Sequence, residues 1–138
     1  MIDIHRASKY YIHRCSMYCF MEVVGMAVNK GLLGGSTPLL LLSLLEDRDR
    51  YGYEIIKTLE ERSDKTFSFK EGTLYPVLHK LENDGHVRSY YKEKDGRQRR
   101  YYAITERGIK QLAAEKAQWE QFSFAVRKVI SGEANALA

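Results

Sequence analysis

Val87-Arg88-Ser89-Tyr90-Tyr91-Lys92-Glu93 and Arg97-Gln98-Arg99-Arg100-Tyr101-Tyr102-Ala103-Ile104, joined by Lys94-Asp95-Gly96, read as two β-type runs about a turn. Asp-Gly between such runs is a strong hairpin signal. From Arg88 to Arg100 the cations are Arg88, Lys92, Lys94, Arg97, Arg99 and Arg100, set against Glu93 and Asp95. Tyr90, Tyr91, Tyr101 and Tyr102 interleave with them. Alternate residues of a strand share a face, so Arg97 and Arg99 lie together while Gln98 and Arg100 face the other way. At least one face of the hairpin is therefore cationic. Guanidinium groups suit phosphate oxygens because they donate in a fixed planar fork. Alone, the stretch fits a solvated charged hairpin with tyrosines packed on helices equally well. The segments before it decide.

Three helical segments precede the hairpin. Thr37-Pro38 sets a capping hydroxyl before a proline at the first helical position, and a leucine run through Leu45 follows. Gly31 to Ser36 reads as a loop before it, and Glu46 to Arg50 as a charged turn after it. In Tyr51 to Glu60 the apolar residues Ile55, Ile56 and Leu59 have the spacing of a helix with one buried face. Thr66 to Phe69 makes a short break, and Ser68-x-x-Glu71 has the form of a capping box opening a third helix. There Leu74, Leu78 and Leu81, with Val77 beside them, form the core stripe. Pro76 interrupts that helix and costs ~3 kcal/mol in most helix interiors, although the residue four back, Gly72, leaves room for adjustment. Asp84-Gly85 ends it. Beyond the hairpin, Thr105 caps a long helix running to about Ser131, with a small polar tail from Gly132.

Three helices followed by a hairpin is the order of a winged helix-turn-helix, in which the third helix enters the major groove and the hairpin lies along the backbone or minor groove. The expected fold is mainly α with a small β-hairpin: a winged helix-turn-helix domain over residues 36–104 and a C-terminal dimerisation helix over 105–131. Residues 1–35 form an N-terminal arm and 132–138 a frayed tail. The arm is either a genuine extra element that packs on a partner subunit or an upstream extension of a chain whose functional start is Met26. Subtracting the core stripe from the third helix leaves Thr73, Tyr75, Pro76, His79 and Lys80 outward. Thr73 and Tyr75 are candidate base or phosphate contacts, because hydroxyls donate and accept and the ring can meet a thymine methyl. Lys80 fits a phosphate anchor. His79 reads either as a guanine contact or as a solvated side chain. Tyr51, and with it Tyr53 unless that ring is partly buried, is placed to touch phosphate near the amide-rich start of the second helix.

Composition narrows the remaining classes. The chain has 138 residues, 44% hydrophobic and 29% charged, the mix of one globular domain with some elaboration. Its net charge of +4 hints weakly at an anionic partner. Cys15 and Cys19 are the only cysteines and sit four apart, and no set of the four histidines has ligand spacing, so no metal site is expected. No cofactor is expected, and no catalytic residues: no Ser/His/Asp, Cys/His or paired-carboxylate set has a recognisable spacing, and no Gly-rich phosphate loop follows a strand. The run Leu39 to Leu45 is far short of the ~20 residues a membrane helix needs. Arg14 and Glu22 interrupt the apolar region that a signal peptide requires, so a cytoplasmic protein with no membrane association is expected.

With these segments in place the chain resembles the PadR family of bacterial transcriptional regulators. The residues carrying the resemblance are Leu39 to Leu45, Tyr51-Gly52-Tyr53-Glu54-Ile55, Glu71-Gly72-Thr73-Leu74-Tyr75-Pro76-Val77-Leu78, Leu81-Glu82-x-x-Gly85, and Gly96 to Tyr102 leading into Thr105-Glu106-x-Gly108. Together they cover about residues 36–130, whereas residues 1–25 have no counterpart. The resemblance implies a homodimeric winged-helix repressor bound to an operator in double-stranded DNA. By matching position, Thr73 and Tyr75 fall on the recognition helix, and Arg97, Arg99 and Arg100 on the wing.

Along the final helix Ile109, Leu112, Trp119, Phe122, Val126 and Val129 recur at three- and four-residue steps. With the domain proper ending before it, that stripe has little intramolecular core to cover and is expected to be buried by a second copy. Trp119 reads either as an anchor of that interface or as a stacking platform for a flat aromatic effector. In the multidrug-sensing branch of the family a tryptophan at the matching position lines a cavity at the dimer interface, and other members sense phenolic acids. The function expected is a repressor released by a small aromatic or phenolic effector; the alternative is a winged-helix protein-interaction module without DNA binding.

Overall fold

Six leucines in the seven positions from Leu39 to Leu45 leave a helix there almost no polar face to show to water. In the computed structural model, which describes residues 33–132, that run lies in α1 (Thr37–Asp47), with Leu41, Leu42, Leu44 and Leu45 buried. The chain continues through β1 (Arg50–Tyr51), α2 (Gly52–Arg62), α3 (Glu71–Asn83), β2 (Val87–Lys94), β3 (Arg97–Ile104) and α4 (Glu106–Ser131). Around α1 close Ile55 and Leu59 of α2, Phe69 just before α3, Leu74, Leu78 and Leu81 of α3, and Val87, Tyr102 and Leu112. At about 1.5–3 kcal/mol for each fully buried apolar side chain, this single cluster is the main source of stability. The stripe Leu74, Leu78 and Leu81 faces inward as its spacing predicts. Pro76 lies exposed within α3, which runs unbroken from Glu71 to Asn83.

Two helix starts differ from expectation. Leu33 and Gly34 are already helical, and the Thr37 hydroxyl donates to the Leu33 carbonyl at 3.1 Å instead of capping α1. Thr37 is buried, so its hydroxyl must find a partner inside the protein, and that carbonyl is within reach. Ser68 does not cap α3: its hydroxyl donates to Glu60 Oε1 at 3.1 Å, and the helix begins at Glu71 after Lys70. A capping box needs the carboxylate at the third helical position, whereas Glu71 is at the first. Burial of Phe69 carries the chain past Ser68 in a non-helical stretch. That burial outweighs a cap worth about 1 kcal/mol.

The sheet has a strand that sequence reading missed. Residues 46–50 are not merely a charged turn; β1 pairs antiparallel with β3, Arg50 opposite Tyr102 and Tyr51 opposite Tyr101, giving the order β1-β3-β2. Two residues carry no periodicity to read. Arg50 supplies the reason: its side chain is only 4% exposed, and each of its three nitrogens has a partner within the protein. Nε donates to Leu44 O (3.3 Å), Nη1 to Thr58 Oγ1 (3.2 Å) and Nη2 to Asp47 Oδ2 (2.8 Å), tying the end of α1 to α2. In the hairpin Lys94 pairs with Arg97, so the turn is Asp95-Gly96 alone, both at positive φ (54° and 75°), the type I′ geometry that suits the twist of a hairpin.

The long helix is locked on at its start. Thr105 Oγ1 accepts from Gly108 N (3.1 Å) and donates to Gly85 O (2.6 Å). A Cβ on Gly108 would collide with the backbone oxygen of His86, so only glycine lets α4 approach the start of β2 this closely. Leu112 is fully buried against the core and so leaves the stripe expected to face a second copy, whereas Ile109 before it and Trp119, Phe122, Val126 and Val129 after it are exposed. Gly132, in the left-handed conformation, ends the helix. The N-terminal arm as far as residue 32, and the tail from 133, lie outside the described residues.

Gly108→Ala is expected to cost about 3 kcal/mol, the upper end for overpacking, because the obstacle is backbone. Thr105→Ala is expected to cost about 1 kcal/mol as a lost cap. Thermal melts check the order, and a Thr105→Ala variant less stable than Gly108→Ala would overturn it. A second expectation concerns acid. The Arg62 hydrogen bond, with that of Arg50, holds the Asp47 carboxyl below its ordinary 3.8. A carboxyl lowered on folding stabilises the fold above that value and stops doing so as the pH falls through its folded value. Asp47→Asn is thus expected to flatten the stability–pH curve below about pH 4, modestly since Asp47 is half exposed, as urea titrations at several pH values would show.

Candidate nucleic-acid interface

Antiparallel register sorts the hairpin's charges. The cross-strand pairs Arg88–Ala103, Tyr90–Tyr101, Lys92–Arg99 and Lys94–Arg97 share one face, which therefore holds five of the six cations. The other face turns Val87 and Tyr102 into the core and carries only Arg100. Arg100 is occupied within the protein: its guanidinium meets the Glu82 carboxylate of α3 at 3.1 and 3.4 Å. The structure thus separates Arg100 from Arg97 and Arg99.

Like charges directly opposite each other across a hairpin repel. Tyrosine rings moderate this on the cationic face. Arg99 lies 4.6 Å and Lys94 5.4 Å from the Tyr51 ring centre, Lys92 5.5 Å from that of Tyr101, and Arg88 5.5 Å from that of Tyr90. Tyr101 stacks on Tyr90 and meets Tyr51 edge-on, so the rings form one platform beneath the cations. The Tyr90 hydroxyl donates to Asp49 Oδ2 at 2.6 Å, a bond that raises it above the ordinary 10.0. Lys94 Nζ donates to Glu54 Oε1 at 2.7 Å, which raises the lysine above 10.5.

The third helix meets this assembly at the start of α2. Tyr75 of α3 lies over Gly52, where a Cβ would come within 2.6 Å of the phenol oxygen. Tyr51 is half buried immediately before that glycine, beneath Arg99 and Lys94, and Glu54 follows in the first turn. The exposed N–H groups of a helix start carry partial positive charge. Thr73, His79 and Lys80 are exposed on α3, with His79 6.5 Å from the Tyr75 ring. Lys80 is paired with Asp84 at 3.0 Å, and that bond holds the Asp84 carboxyl below its ordinary 3.8. Tyr53 is exposed. Sequence reasoning missed Asp49, Gly52 and Glu54 as parts of the site. The run Tyr51-Gly52-Tyr53-Glu54 was visible, with Asp49 just before it, but the partners of Asp49, Gly52 and Glu54 lie 23 to 41 residues away.

A second feature sits on α4. Leu33, Leu39 and Phe67 face Trp119, Phe122 and Ala125 across an apolar groove of about 880 Å³. The Trp119 ring is half exposed there and lies 6.1 Å from that of Phe122. Phe124, Val126, Val129 and Ile130 are also exposed. Among the described residues no group of three or more His, Cys, Asp or Glu could hold a metal ion, and no helix is long and apolar enough to cross a membrane.

Residues 41–114 match the model of the transcriptional regulator PadR-like family. A transcriptional regulator from Clostridium thermocellum superposes with a TM-score of 0.67 at 37% identity, over 71% of this chain and 96% of that one. A PadR family transcription regulator from Clostridium difficile does so with a TM-score of 0.62 at 33% identity, over 69% and 98%. A transcriptional regulator of Mycobacterium tuberculosis is 36% identical over 76 residues, 55% of this chain and 68% of its own length.

Proposed function

Since this chain belongs to the PadR-like family of transcriptional regulators, we propose that it is a DNA-binding repressor that acts as a homodimer and is released by a small aromatic or phenolic effector. One observation carries the DNA reading: Arg99 and Lys94, from the face of the ribbon that holds five cations, and Tyr75 of α3 meet at the same helix start. A face of mutually repelling cations is relieved by a polyanion, and release of the counterions of DNA supplies much of the affinity. Arg97 and Arg99 contact phosphate from the wing, and Lys80 does so from α3 in exchange for Asp84. Thr73, Tyr75 and His79 face base edges, and Tyr51 lies against the backbone beside the N–H groups of α2. Arg100 contributes by holding the wing to Glu82.

The exposed apolar residues of α4 from Trp119 onward support pairing with a second copy, whose two-fold symmetry matches an inverted-repeat operator. The groove beside Trp119 has the size and apolar lining of a small-molecule site. An effector there releases the operator only by binding the DNA-incompetent dimer more tightly than the competent one.

Selection from a random duplex library with the whole chain is expected to recover two inverted half-sites about one helical turn apart. On that duplex Arg99→Ala is expected to weaken selected and random DNA alike and to lower the salt slope by about one. Tyr75→Ala is expected to lower discrimination by about 1–3 kcal/mol. Gel shifts in which neither variant differs from wild type would overturn these roles. Small phenolics are expected to quench the emission of Trp119, the only tryptophan; emission unchanged across a broad panel would overturn the effector site.

A further inference from the structure

The wing is long relative to what holds it. From Tyr91 to Gln98 every residue of the hairpin is exposed, so the outer half of the ribbon rests on no core. A two-stranded ribbon is by itself marginally stable in water. Arg100 anchors the middle of the ribbon through Glu82. Near the tip, beside the Asp95-Gly96 turn, Lys94 reaches down to Glu54 in the first turn of α2. That carboxylate is only 15% exposed and the lysine 43%, so the pair is better shielded from salt than the surface pair Lys80–Asp84 (77% and 43%). The same Nζ lies over Tyr51, which Arg99 also covers.

Glu54 is at first sight misplaced. A negative charge within reach of a cationic face that would meet phosphate repels that ligand, and Gln would remove the repulsion with nearly the same shape. We propose that Glu54 is a positioning residue for the wing: its carboxylate pins Lys94, and through the ladder Arg97 and Arg99, at a fixed height over the start of α2. The pin sets the distance between the wing's cations and the exposed residues of α3, and hence the register in which both meet one duplex. This role rests on the DNA-binding reading; the pin itself does not. Charge and position act in opposite directions. Losing the charge strengthens binding to any duplex, whereas losing the position weakens only the duplex that fits.

Glu54→Gln in the full chain is the test, read in two ways. In the free protein, amide hydrogen exchange over residues 92–99 is expected to rise about threefold or more, while the core helices exchange as in wild type. Reversing the pair (Glu54→Lys with Lys94→Glu) restores slow exchange at unchanged net charge. On DNA, with the duplex selected by wild type and a random duplex as probes, the affinity ratio is expected to fall about three- to tenfold, random-duplex binding being equal or tighter. Lys94→Met breaks the pin from the other side and is expected to give the same exchange result if the Glu54 variant folds poorly. Unchanged exchange in both single variants overturns the pin. Faster exchange with an unchanged affinity ratio, or both duplexes gaining equally, overturns its positioning role. If wild type selects no duplex, the DNA reading and the positioning role fail together, and exchange still decides whether the pin exists.

Discussion

A buried guanidinium organises the molecule. Arg50 is taken almost entirely out of water, a transfer that is costly unless every donor finds a partner. It finds Leu44 O at the end of α1, Thr58 on α2 and the Asp47 carboxylate, and these three directions admit one placement of β1. The register follows: Arg50 opposite Tyr102, Tyr51 opposite Tyr101. From that register come Tyr51 beneath Arg99, Gly52 beneath Tyr75 and Glu54 within reach of Lys94. Displacing Arg50 would therefore disturb the candidate interface through geometry, although it has no place on the exposed cationic face.

The tyrosines explain how that face persists without a ligand. Lys92 opposite Arg99 and Lys94 opposite Arg97 is an unfavourable arrangement for a free ribbon. Aromatic faces attract cations by roughly 0.5–1 kcal/mol at exposed sites, enough to offset part of the repulsion and to leave the remainder for an anionic partner to relieve. Three of the chain's 10 tyrosines, Tyr51, Tyr90 and Tyr101, serve this purpose. The rings are a floor that holds guanidinium and ammonium groups outward and apart.

The long helix divides in two by environment. Its first turns belong to the core through Gly108 and Leu112, whereas Trp119, Phe122, Phe124, Val129 and Ile130 stay exposed over the remaining length. The 26 residues span about 39 Å at 1.5 Å per residue. One rigid rod thus joins the winged domain to the apolar surface and groove around Trp119. The helix meets the base of the wing at His86, whose carbonyl accepts from Thr105 N.

The sequence alone determined the order of the helices and the hairpin and the leucine and isoleucine part of the core, because apolar spacing, Asp95-Gly96 and Thr105 act within a few residues. It also determined that Arg97 and Arg99 share a face, since strand alternation is local. Only the tertiary structure decided the third strand, the withdrawal of Arg100 to Glu82, the loss of the Ser68 cap to Phe69 burial, and the meeting of wing and α3 at the start of α2. Each of these depends on groups far apart in the chain whose burial or ion pairing outweighs the local preference, and no short-range pattern encodes that balance.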